Sequence, residues 1–206
     1  CWVSYVDQVK MSRGKPVIVH ATQAHDFKVT VDQLEAVITD KTKVLLLNSP
    51  SNPTGMIYTQ EELTAIGNWA VAHDLLILAD DIYCHLIYGD AQFSAISSLS
   101  PAIRQQTMVI NGASKTYAMT GWRIGFAVGD SEIIAAMTKF VSQTTSNPAA
   151  ISQYAAIEAL NGDKTQVEVM RKEFEARLNT IYPLLCEIPG FEVIKPNGAF
   201  YLFPKV

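Results

Sequence analysis

Lys115 and Arg123 lie in the stretch NGASKTYAMTGWRIGFAVG, residues 111–129, with Gly112, Gly121, Gly125 and Gly129 around them and few other charges. A lysine at the end of a buried strand is disfavoured as a cation and gives up its proton more readily. The neutral amine is then a nucleophile toward carbonyl carbon and forms Schiff bases. Arg123 supplies a permanently charged fork suited to phosphate. Gly112, Ala113 and Ser114 leave room beside Lys115 for a bulky partner. A carbonyl compound carrying a phosphate suits both side chains, and pyridoxal 5′-phosphate (PLP) is the candidate. Its ring nitrogen needs a carboxylate partner if the ring is to act as an electron sink. Asp80, in ADDIY, is placed to be that partner. Asn52 and Tyr83 are placed to donate hydrogen bonds to the phenolate oxygen of such a ring, and Trp2 to stack on its face. Each residue alone has a plainer reading. A strand-end lysine or arginine decorates surfaces, an Asp after a strand caps a helix, SNPTG is a turn, and a tryptophan fills a core. Asp81 also competes with Asp80 for any role. Taken together, at successive strand ends in chain order, these residues point to one site.

The elements that must position them are legible as hydrophobic patterns. The runs KVLLLNSP (residues 43–50), LLILADD (75–81) and TMVING (107–112) are apolar throughout and end in turn residues. Strands buried on both faces of a parallel sheet read this way. RIGFAVG (123–129) reads as a fourth strand and PVIVHA (16–21) as a short one. Val31, Leu34 and Ile38 recur at helical spacing. A helix is expected over residues 59–73, opened by the capping box Thr59 and Glu62. Further helices are expected over 131–145, 149–160 and 164–186, then two short strands in GFEVIKPNGAFYLFPKV. Strands alternating with helices predict an α/β fold: a doubly wound, mostly parallel sheet with helices on both faces. A composition change near 183–190 divides the chain into a large domain, 1–182, and the start of a small α+β domain, 183–206. In such sheets ligands sit at the carboxyl ends of the strands. There NSPSNPTG, ADDIY and NGASK fall together.

Composition narrows the alternatives. Hydrophobic content of 49% and charged content of 17% describe a globular, well-buried chain. A net charge of −4 with no basic run argues against a nucleic-acid surface. No apolar run approaches the length of a membrane span. Cys1, Cys84 and Cys186 are scattered and odd in number. That suggests neither a disulfide framework nor a metal motif and makes a reducing cytoplasm the expected location. His20, His25, His73 and His85 form no ligand pair, so no metal is expected.

SNPTG, then DDIY, then GASKTYAMTGWRIG resembles the fold-type-I PLP-dependent aminotransferases, class I/II, of the aspartate and aromatic aminotransferase kind. The lysine segment fits the family's attachment pattern at Gly112, Ala113, Ser114, Lys115, Ala118, Met119, Gly121, Arg123, Ile124 and Gly125. WVSY resembles the family segment whose aromatic residue stacks on the cofactor, which supports Trp2 and sets Tyr5 near Asp80. NGAFYLF resembles the start of the family's small domain. The resemblance implies that Lys115 carries the cofactor as a Schiff base and moves the α-proton, that Asp80 keeps the pyridine nitrogen protonated, and that Asn52 and Tyr83 tune the phenolate. Ser114 and Arg123 would hold the phosphate. The reaction implied is ping-pong transfer of an amino group between an amino acid and a 2-oxo acid. Many relatives have serine where this chain has Gly112, so one phosphate contact is expected to be missing.

The family's chains run further at both ends, so the stretch is expected to be a central part of a longer protein. The upstream glycine-rich phosphate turn and the downstream carboxylate-binding arginine would lie outside it. The family also builds its site across a homodimer, with Tyr88 and residues 142–147 candidates for the interface. Rival readings are a carbon–sulfur lyase or aminocyclopropane-carboxylate synthase on the same fold and a non-catalytic PLP-binding regulator. A nucleotide-binding Rossmann domain carries little weight without G-x-G-x-x-G.

Overall fold

The structure, a computed structural model, describes residues 1–206. Its centre is a four-stranded sheet in the order β1 (Val44–Asn48), β2 (Leu76–Asp80), β3 (Thr107–Gly112) and β4 (Gly125–Val128). β1, β2 and β3 are parallel and β4 is antiparallel to β3. The α/β class and the mostly parallel sheet agree with the sequence pattern. The link from β3 to β4 holds only a short turn of 3₁₀ helix, Thr120–Trp122. It is too short for a crossover helix, so the chain returns antiparallel. Arg123 lies before β4 with φ at 50°, so the strand starts two residues later than the apolar pattern suggests.

The helices are α1 (Ser4–Met11), α2 (Val31–Glu35), α3 (Gln60–Ala72), α4 (Pro101–Gln105), α5 (Ser131–Thr144), α6 (Ala150–Asn161) and α7 (Thr165–Cys186). The expected capping box opens α3. Thr59 Oγ1 accepts from Glu62 N at 3.2 Å, and Glu62 Oε2 accepts from Thr59 N at 2.7 Å. That cap sets the register in which Leu63, Ile66 and Ala70 of α3 meet Leu47, Ile77 and Ala79 of the sheet, with Leu34 and Ile103 closing the same core. α7 runs unbroken through Pro183.

Two expected elements do not form. Residues 16–21 are not a strand; no neighbouring strand receives them, and only Val19 packs against the core. The C-terminal stretch makes isolated bridges, Glu192 with Lys205 and Ile87 with Gly198, in place of two strands. There Pro196 lacks an N–H to donate. Ala199 takes φ of 56°, which turns the chain after one step of pairing.

α5 and α6 present a large apolar surface. Phe140 is 70% and Tyr154 75% exposed, and Ile151 and Ile157 of α6 and Val128 of β4 are exposed as well. α5 buries none of its residues fully, despite its apolar stripe. Surfaces of this kind mark contact with further protein.

Candidate active site

The parallel strands end level. Asn48 of β1 is paired with Asp80 of β2, and Asp80 with Ile110 of β3. Every chemically interesting loop therefore leaves the sheet at one edge. Asn48 joins the first two: its Nδ2 donates to the Asp80 carbonyl at 2.9 Å, and its Oδ1 accepts from Asn52 N at 2.7 Å. Sequence reasoning had not singled out Asn48, although its place at the end of an apolar run was a signal.

Two donors hold the Asp80 side chain. Tyr5 hydroxyl donates to its Oδ2 at 2.5 Å, and Ile82 N to its Oδ1 at 3.1 Å. Tyr5 stands where the resemblance set it. Burial, and then the Asp80 charge, push the Tyr5 hydroxyl well above its ordinary range, so it remains a donor. Trp2 packs edge-on against Tyr5, ring centres 5.3 Å apart, with its own ring partly exposed. The neighbouring Asp81 is buried, and that burial together with the Asp80 charge raises its carboxyl to about 7. Of the two adjacent acids, Asp80 is therefore the one equipped with donors at the sheet edge.

Tyr83 is 2% exposed overall, yet its hydroxyl reaches Tyr201 hydroxyl at 2.5 Å. Asn52 Nδ2 donates to that same Tyr201 oxygen at 3.1 Å. Burial, then the hydrogen bond to Tyr201, drive the Tyr83 hydroxyl far above its usual range and keep it protonated. Lys115 Nζ lies 5.9 Å from the centre of the Tyr83 ring and 5.6 Å from that of Phe200. Asn52, Tyr83 and Lys115 are thus gathered around one aromatic cluster. In the sequence Phe200 and Tyr201 belong to a stretch expected to form two short strands and to resemble the start of the family's small domain, not to a candidate site. The aromatic pair in GAFY was the available signal.

Gly112 and Gly125 face each other across β3 and β4. A Cβ on Gly112 would meet Gly125 Cα and the Ile124 carbonyl at 3.1 Å. Close approach of the two strands accounts for glycine at this position. Arg123 and Ser114 are not drawn into the aromatic cluster. Arg123 is exposed, and its Nη1 donates to the Thr120 carbonyl at 2.9 Å. Ser114 is half-buried next to Lys115. Two surface clefts are lined by other residues, one by Thr39, Lys43 and His73, the other by Tyr88, Glu175 and Lys195.

Comparison with known proteins decides the family. Residues 1–206, the whole chain, match the family described as aminotransferase class I and II. The chain belongs to that family. It is 65% identical over 205 residues to an asparagine–oxo-acid transaminase of Streptococcus mutans, covering 100% of this chain and 52% of that protein. It is 54% identical over 204 residues to an aspartate aminotransferase of Bacillus subtilis, covering 99% of this chain and 52% of that protein. Among solved structures, an aromatic aminotransferase from Pyrococcus horikoshii superposes with a TM-score of 0.96 at 42% identity, over 100% of this chain and 55% of that one. The chain spans about half the length of the relatives it matches. No helix of this class I and II aminotransferase chain is long and apolar enough to cross a membrane.

Proposed function

We propose that this chain carries the cofactor-binding centre of a PLP-dependent aminotransferase, which moves an amino group between an amino acid and a 2-oxo acid. The observation that carries the reading is that Asn52 Nδ2 and the Tyr83 hydroxyl are both hydrogen-bonded to the Tyr201 hydroxyl, with Lys115 Nζ beside the Tyr83 ring. A second N–H on Asn52 and the hydroxyl of Tyr83 fit two donors to the phenolate of PLP. Asp80, held by Tyr5 and Ile82, fits a protonated ring nitrogen. Arg123, with most of its fork free at the surface, fits a phosphate, and Ser114 beside Lys115 would add a hydroxyl. Trp2, exposed beside Tyr5, fits a ring face.

Bound there, PLP supplies the electron sink that makes the α-proton of an amino acid removable. Lys115 Nζ would take that proton from the substrate α-carbon and deliver it to the cofactor. The rings of Tyr83 and Phe200 border the amine and limit its hydration. Asp80 offsets the positive charge of its partner at the edge of the sheet, and the Tyr5 hydrogen bond keeps its Oδ2 from turning away. Aspartate and asparagine are the first donors to test, because relatives 54% and 65% identical to this chain are named for them. The uncovered apolar surface of β4, α5 and α6 supports burial against more of the same protein or a second copy, and the assembly we propose is a homodimer. We place the protein in the cytoplasm, which scattered free cysteines support. The opening of a small domain in residues 183–206 belongs to the same proposal.

The test is the visible absorption spectrum of the whole gene product with added PLP, beside Lys115→Ala. An absorption band that borohydride fixes to the peptide containing Lys115, absent from the alanine variant, is the expected result. A band that persists unchanged in Lys115→Ala would overturn the reading. Amino transfer from aspartate or asparagine to a 2-oxo acid should vanish with the same substitution.

A further inference from the structure

Tyr201 is built into the site more firmly than a bystander would be. The segment that carries it is bonded to the chain following β2: Ala199 N donates to the Leu86 carbonyl at 2.8 Å, and Tyr88 N to the Asn197 carbonyl at 3.0 Å. The Tyr88 hydroxyl donates to the Ala199 carbonyl. On the other side Gly198 touches the loop after β1, where a Cβ would stand 2.7 Å from Pro50 Cβ and 2.8 Å from Pro50 Cγ. The segment is therefore wedged between the loop that holds Asn52 and the turn that holds Tyr83. Ring packing adds to this, with Tyr83 and Tyr201 centres 5.7 Å apart at 80°.

We infer that Tyr201 is a positioning residue, which orders Asn52 and Tyr83 as a hydrogen-bond chain aimed at the cofactor's phenolate oxygen. The inference rests on the function proposed above. The proton count supports it. Tyr201 oxygen accepts one N–H of Asn52 at 3.1 Å and lies 2.5 Å from the Tyr83 oxygen, a bond in which the inference makes Tyr201 the donor. Tyr83 then has its own O–H free, and Asn52 its second N–H. The Tyr83 ring lies beside Lys115, with Nζ 5.9 Å from its centre. Accepting a bond from Tyr201 also makes Tyr83 a stronger donor, since hydrogen bonds in a chain polarise one another. Without Tyr201 the Tyr83 hydroxyl is free to rotate, and its donation to a phenolate weakens.

The experiment is a pH titration of the visible absorption of the PLP-loaded whole protein, in wild type, Tyr201→Phe, Tyr83→Phe and the double variant. A phenolate with weaker donors is more basic and holds a shared proton to higher pH. Tyr201→Phe should therefore raise the spectral midpoint by about half a pH unit. Tyr83→Phe should raise it further. In the Tyr83→Phe background the second substitution should shift it less than in wild type, because only the Asn52 link to Tyr201 is left to lose. The PLP dissociation constant, read by fluorescence quenching, should rise about threefold in Tyr201→Phe. Thermal unfolding of the unloaded protein checks that each variant folds. A loaded Tyr201→Phe protein whose midpoint equals the wild type's overturns the inference, as does an equal shift in both backgrounds. Absence of any PLP absorption in wild type defeats the function proposed above, and is distinguishable from either result. If Tyr201→Phe does not fold, Tyr201→His keeps a donor at this place and should leave the midpoint nearer to wild type than Tyr201→Leu does; equal midpoints in those two would also overturn it.

Discussion

Asp81→Asn should stabilise this protein, and more so at higher pH. Asp81 is 7% exposed and follows Asp80 at the end of β2. Burial, with a further contribution from the charge of Asp80, raises its carboxyl from 3.8 to about 7. An acid whose folded value is raised binds its proton more tightly when folded than when unfolded. Below about pH 4 the carboxyl is protonated in both states and contributes nothing. Between about 4 and 7 the unfolded chain releases the proton while the folded chain keeps it. Stability then falls as pH rises, by up to about 1.4 kcal/mol per pH unit, and levels off above about 7. The full window corresponds to a ceiling of about 4 kcal/mol. Asparagine has nearly the same shape as the protonated acid and does not ionise. The difference between Asp81→Asn and wild type should therefore be about 1–2 kcal/mol at pH 5 and approach about 4 kcal/mol at pH 8. Urea unfolding of the unloaded protein, followed by tryptophan fluorescence at pH 5, 6, 7 and 8, reads this difference directly. Subtracting the two proteins removes the titration of every other group. A constant difference across that range, or one that shrinks as pH rises, would refute the argument that Asp81 is kept neutral by its burial.

Two further outcomes follow from contacts described above. Tyr5→Phe removes the donor that stands 2.5 Å from Asp80 Oδ2. The loss should cost about 1.5–3 kcal/mol near neutral pH, the usual range for a hydrogen bond to a charged group, measured by the same urea titration. Gly198→Ala sets a Cβ within 2.7 Å of Pro50, whose ring cannot rotate aside. As an overpacked contact it should cost about 1–3 kcal/mol of stability. Faster amide exchange at residues 197–201 in Gly198→Ala would locate the strain, and protection equal to wild type there would count against it.

The fold and the site were unequally legible. The apolar runs of β1, β2 and β3 announced a buried parallel sheet, because strands covered on both faces have no polar alternation to keep. Thr59 and Glu62 announced the start of α3, since a capping box is a local arrangement. The residues at 16–21 have an equally apolar pattern but no adjacent strand to accept their hydrogen bonds, and pattern alone does not report a partner. β4 was visible as a strand, while its direction depended on the lack of a crossover helix between Gly112 and Gly125.

The sequence by itself determined the chemistry on offer. Lys115, Arg123, Asp80, Asn52 and Tyr83 are readable because nucleophile, phosphate fork, carboxylate and hydrogen-bond donors are properties of side chains. Their order after successive strands follows from local hydrophobic runs. Tertiary structure alone decided which of them meet and through what. Tyr201 lies 149 residues from Asn52 and 118 from Tyr83, yet its hydroxyl joins them. It does so because Gly198 lets the C-terminal segment close onto Pro50, and because the Leu86 carbonyl and Tyr88 N–H bind its backbone. Asp80 and Asp81 are told apart in the same way. Adjacent and identical in sequence, they differ because one carboxyl finds Tyr5 and the Ile82 N–H at the sheet edge while the other is buried beside that charge. Contacts across such separations depend on the packing of the whole chain, which local spacing does not encode.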